Sequence, residues 1–257
     1  MTLKRCFLFI AFCFVPTSLF SNKLYFPQVV FGGGYTTTVV LMNKGTTSVS
    51  SDFQVYGETG TLLKSIPTNV HGLGSTRLSI ADPAPSVVSS WGMLDAGTET
   101  VQGAAIFDVR STTGALIDTV AVLGVEAAND FTFLVDVAGN GIASNTGFAI
   151  ANVNPNSDVT VNFQLLSELG CGDVTGRSIT LRSGQHMAQF VTEIFPQLGA
   201  VFKGTLLVWV TPGQPNSLVL TALNFKEGLM SEVPAISGVV NDEVLNDIKT
   251  GAGCWDY

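Results

Sequence analysis

A period of two runs through most of this chain and limits what it can fold into. Val49, Ser51, Phe53 and Val55 alternate with Ser50, Asp52, Gln54 and Tyr56; farther on, Val159, Val161, Phe163 and Leu165 alternate with Thr160, Asn162, Gln164 and Leu166. Successive side chains on an extended strand point to opposite faces, so the pattern predicts strands with one face in a core and the other toward water. A helical bundle is excluded, because helical spacing is confined to one short stretch.

The alternating segments also recur in order. Thr37–Asn43 lines up with Asn145–Asn152 at its Thr and Asn ends. Phe53 follows the first Asn and Phe163 the second at nearly equal distance, and each Phe is followed at +7 and +21 by Gly, at 60 and 74 and at 170 and 184. Gly103–Val109 then matches Gly204–Val210. Four anchors in one order predict a duplication of residues 24–130 in residues 131–235. The expected architecture is all-β, two tandem antiparallel β-sandwich (Ig-like) modules related by an internal repeat. Its boundaries are 1–21 (signal peptide), 22–130 (module one), 131–235 (module two) and 236–257 (C-terminal tail).

Segments rich in β-branched and aromatic residues, punctuated by Gly, Asn, Asp and Pro, predict further strands near 24–30, 35–43, 69–80, 101–109 and 115–123. The second module repeats the series near 131–137, 145–152, 177–190, 203–211 and 217–225. The helical stretch is Ala188–Phe195, stopped by Pro196, with Phe190, Ile194 and Phe195 placed to plug one end of a sandwich. In module one a long loop, Ala81–Thr100, takes its place and carries Trp91. Asn241–Lys249 in the tail reads as one or two helical turns.

The N-terminus has the anatomy of an export signal. Lys4 and Arg5 precede an apolar run from Cys6 to Val15, and cleavage is expected after Ser21. That run is too short to span a bilayer, which takes about 20 apolar residues. Removal of the signal leaves 10 basic and 20 acidic residues, a net charge of −10 that disfavours nucleic acid and anionic lipid. Cys6 and Cys13 leave with it. Cys171 and Cys254 remain, and in an oxidising compartment they are expected to pair, closing a loop of 83 residue steps worth about 4 kcal/mol in the chain-entropy picture. The expected location is periplasmic, cell-surface or extracellular.

Gly32–Asn43, Ala188–Pro196 and Phe202–Leu206 together resemble the tandem β-sandwich repeats of uncharacterised secreted bacterial proteins. The resemblance covers residues 24–235. It implies fold and export and carries no activity; module one departs from the pattern in lacking the Phe-Pro turn.

Only 12% of the residues are charged, about half the usual share, so few side chains are available for acid-base work. His71 and His186 have no neighbouring carboxylate or thiol, and no metal or other cofactor is expected. Ser183 lies close to His186, but no Gly-x-Ser-x-Gly elbow accompanies them. The carboxylates are scattered singly rather than paired for glycoside hydrolysis. Gly32–Gly34 precedes a strand rather than a helix and lacks a following Lys-Ser/Thr pair, so it reads as a positive-φ turn. Asn152–Asp158 is rich in amide oxygens but lacks the spacing and closing Glu of a calcium loop. No catalytic residue is expected. Tyr35 and Trp91 are the candidate binding residues, aromatics that loops could present to a sugar or a partner.

These features favour an exported non-catalytic protein, structural, adhesive or ligand-binding, whose partner is a protein or polysaccharide surface, with no nucleic acid and no membrane span. A small exported hydrolase or carbohydrate-binding accessory protein is the alternative. An outer-membrane barrel is disfavoured by the Pro-rich loop and by segments that do not read as uniform strands of 9–11 residues.

Overall fold

A computed structural model describes residues 22–82, 85–168, 175–211 and 216–240, together with Val244 and Asn246. Residues 1–21, Cys171, Cys254 and most of the tail lie outside the described residues, and with them the expected signal peptide and disulfide.

Almost every alternating segment is a strand. The first half contains β1 (Lys23–Phe31), β2 (Tyr35–Asn43), β3 (Val49–Gly57), β4 (Leu62–Val70), β5 (Ser75–Ile80), β6 (Val88–Asp95), β7 (Val101–Arg110) and β8 (Leu116–Leu123). The second contains β9 (Asp130–Ala138), β10 (Ser144–Asn152), β11 (Val159–Ser167), β12 (Thr175–Leu181), β13 (His186–Phe190), the helix α1 (Val191–Ile194), β14 (Val201–Val210), β15 (Leu218–Lys226) and β16 (Leu229–Val233). All pairings are antiparallel.

The first half forms two four-stranded sheets, in the orders β1-β6-β3-β4 and β5-β2-β7-β8. They share one core, with Phe26 and Phe53 from one sheet facing Leu41 and Phe107 from the other. The second half is a single curled sheet, β12-β11-β14-β9-β10-β15-β16, with β13 paired to β10. Adding eight to each strand number of the first two sheets reproduces every neighbour in the third. The difference lies at one point: Ser144 pairs with Ala138 and joins β9 to β10, whereas the passage from β1 to β2 has only the isolated bridge of Gly32 with Tyr35.

Two polar side chains recur at equivalent points. Thr37 Oγ1 accepts from Val30 N and donates to Val30 O, and Thr146 Oγ1 does the same with Asp136. Each thus satisfies the backbone where the chain passes from one strand to the next. At the far ends of the same strands, Asn43 Nδ2 donates to the carbonyls of Thr47 and Val70, and Asn152 Nδ2 reaches those of Ser157 and Leu181. Both asparagines are buried. Asn43→Ala or Asn152→Ala orphans those carbonyls, and each is expected to cost about 2–3 kcal/mol in urea unfolding. A loss under about 0.5 kcal/mol would remove these residues as staples.

Several sequence expectations need correction. The matching of Gly103–Val109 to Gly204–Val210 joins β7 to β14, whereas by strand order β14 corresponds to β6 and β7 to β15. Both β7 and β14 lie inside their sheets, and their similar apolar alternation produced the false match. The expected loop 81–100 contains β6, an interior strand. Its Gly92 hides the strand signal but is needed there, since a Cβ would come within 2.6 Å of the Phe53 ring. β4 escaped notice because Lys64 and Pro67 interrupt it, residues that suit an edge strand. The helix is shorter than expected, because Ala188–Phe190 completes β13. Val191, Ile194 and Phe195 plug the core, while Phe190 turns outward onto Phe225.

Candidate functional site

The face of β10 opposite Phe148 and Ile150 begins with Asn145 and continues with the small residues Gly147, Ala149 and Ala151, yet β10 is buried along its whole length. Small residues there admit β1 of the first half, which crosses the β10–β15 face. Beside them Val219, Thr221, Leu223 and Phe225 present the matching face of β15, with Leu223 entering the first half's core. The two halves therefore meet through a buried joint, not a flexible linker.

Tyr25, Trp91, Ala151 and Val219 form the centre of that joint. Trp91 stacks on Tyr56 at 4.5 Å between ring centroids, and its Nε1 donates to Gly184 O at 3.0 Å. Burial, helped by Asp95 and Tyr56, pushes the Tyr25 hydroxyl up to about 12, so it stays protonated. Gly60 and Gly184 touch backbone to backbone: a Cβ on either would lie 3.0 Å from the other's Cα, and both have positive φ. Next to them His186 N donates to Glu58 O at 2.9 Å.

His186 is only 2% exposed, and neither ring nitrogen makes a hydrogen bond. Burial lowers its pKa to about 4, a shift that the nearby Pro27 carbonyl opposes without cancelling. The ring is thus a neutral wedge at the joint.

Beyond the joint centre the cover given by β1 ends and a cavity of about 290 Å³ opens. Gln28, Gly147, Ala149, Ala188, Phe190 and Phe225 line it, with Glu193 at its side. Phe190 and Phe225 meet edge to face at 5.1 Å, and Gly147 makes room beneath them: a Cβ there would approach both rings within 3.4 Å. Glu193 Oε2 accepts from Phe190 N at 2.7 Å.

Trp91 is not a loop aromatic but a strand residue 4% exposed, so it cannot serve as a surface platform. Its ring is consumed by packing between the halves. Tyr35, half-buried at the start of β2, packs against the first half's core, in a different cluster. The two candidates do not share a site.

Ser183 and His186 are not joined as nucleophile and base. The Ser183 hydroxyl donates to Asn154 O, while the His186 ring faces the joint. In the Asn152–Asp158 turn, the Asn152 and Asn154 side-chain oxygens accept from the amides of Asn154 and Asn156, and Asp158 accepts from Ser183 N. Among the described residues no group of three His, Cys, Asp or Glu is gathered to hold a metal, and no helix is long and apolar enough to cross a membrane.

Sequence reasoning missed the groove and the joint. The available signal was the run of small residues Gly147, Ala149 and Ala151 along one face of β10, which on an otherwise apolar stretch implies that something covers it.

No protein-family model matches the chain, and no curated protein matches it.

Proposed function

We propose that the mature chain is an exported, non-catalytic ligand-binding protein built of two tandem β-sandwich modules that arose by duplication. The shared strand order and the recurring Thr37/Thr146 and Asn43/Asn152 contacts support the duplication. The resemblance to the tandem repeats of secreted bacterial proteins and the signal-like N-terminus support export.

One observation carries the functional reading: the groove sets the polar groups of Gln28, Gln189, Glu193 and Thr221 around an apolar bed, and neither His186 nor Ser183 is among its lining residues. The apolar groove opens where the two halves meet, a common place for ligand sites, and it is lined by aromatic and small side chains rather than by a nucleophile and base. Trp91 ties the two halves together through its bond to Gly184 O and its packing with Ala151 and Val219, as a preorganised binding protein requires.

Purified mature protein is expected to show no turnover above buffer in an esterase and glycosidase screen. Incubation with insoluble polysaccharides and with envelope proteins then identifies the surface it binds. Turnover that Ser183→Ala abolishes would replace this reading with the hydrolase alternative.

A further inference from the structure

We propose that the groove binds a small amphipathic ammonium compound, an apolar ring or short chain ending in a protonated amine. This rests on the ligand-binding reading above and names the ligand class. A volume of about 290 Å³ lies at the lower end of small-molecule sites and suits one ring with a short arm. Phe190, Phe225, Leu223 and Ala149 offer it an apolar bed, and an aromatic face also attracts a cation.

The polar groups choose the charge. Gln28 Nε2 donates to Ser89 Oγ at 3.3 Å, and Gln28 Oε1 is enclosed without a hydrogen-bond partner, so neither end of this amide offers a donor to an anion. Among the described residues that line the groove Glu193 alone is charged, and its carboxylate accepts only. Gln189 and Thr221 serve as donor or acceptor. An ammonium group supplies donors to the Glu193 carboxylate. A carboxylate or phosphate in its place would be repelled by Glu193. Lys226 follows Phe225 on β15, and strand alternation directs it to the opposite face. The net charge of −8 favours approach of a cation as well.

The test is calorimetric titration of the full mature chain with phenethylammonium, using phenethyl alcohol and 3-phenylpropionate as neutral and anionic analogues of similar shape. Affinity is expected to fall in that order. Glu193→Gln keeps an acceptor for Phe190 N, and it should weaken the cation by about threefold to fivefold while leaving the alcohol unchanged. Ala188→Trp, at an exposed position, should fill the groove and abolish binding of the cation. Circular dichroism checks the fold of both, and the isosteric Glu193→Gln carries the test alone if Ala188→Trp does not fold. No saturable binding of the cation, equal binding of 3-phenylpropionate, or indifference to Glu193→Gln overturns the proposal. Those outcomes leave the non-catalytic reading standing, because only the turnover screen can overturn it.

Discussion

Replacing His186 with leucine should flatten the loss of stability that the wild-type protein suffers between pH 6.5 and pH 4. An exposed histidine in the unfolded chain takes up a proton near 6.5, whereas the folded ring does so only at about 4. Between those values the unfolded state holds more protons, so acid favours unfolding. The stabilising difference is fully present above about 6.5, falls through the interval and is lost below about 4, a total of about 3 kcal/mol. Leucine has no proton to gain and nearly the same volume. Neither nitrogen of His186 makes a hydrogen bond of good geometry, and the substitution gives up only the weak approach to the Pro27 carbonyl, so at pH 8 it should be close to neutral. Urea midpoints of both proteins at steps from pH 8 to pH 4 provide the measurement, since the acid response of the carboxylates cancels in the difference. Parallel curves would show that the ring titrates near its ordinary value and is not enclosed.

Trp91→Ala is the second large effect and concerns the joint itself. It removes a stacked ring, the packing against Tyr25 and the donor to Gly184 O, leaving that carbonyl without its partner. Large-to-small changes at buried tryptophans cost about 3–5 kcal/mol. Trp91 belongs to neither of the two main cores, whose centres are Phe26 and Phe53 in one half and Phe148 and Phe163 in the other. The loss should therefore fall on the coupling between the halves. Unfolding followed by far-ultraviolet circular dichroism is expected to change from one transition to two, and proteolysis to begin near residues 124–129, which connect the halves. Trp91→Phe keeps most of the ring and should retain a single transition. A single transition in Trp91→Ala with a midpoint close to wild type would mean that the joint draws its strength from β1, β10 and β15 alone.

The parts of the fold legible in the sequence are those where local pattern and tertiary role agree. β2, β3 and β11 alternate cleanly because one face meets a core, and Thr37, Asn43, Thr146 and Asn152 stand out because backbone groups at strand ends need partners. β6 was hidden because its Gly92 answers to Phe53 on another strand, a requirement no local window contains. Phe190 misled for a similar reason: helical spacing places it with Ile194, while its partner is Phe225 on β15. The candidate site was less legible still. Its residues come from β1, β10, β13, β15 and α1, and nothing in their spacing along the chain brings them together.

By itself the sequence determined an all-β antiparallel protein, since a two-residue period can bury its apolar set only in sheets. Tertiary structure alone decided that the halves lock together, that Trp91 lies inside the lock rather than on a loop, and that a groove opens where β1 ceases to cover β10 and β15. The physical reason is the range of the forces: backbone geometry and alternation act between neighbours in sequence, whereas close packing acts between whichever surfaces the folded chain brings into contact.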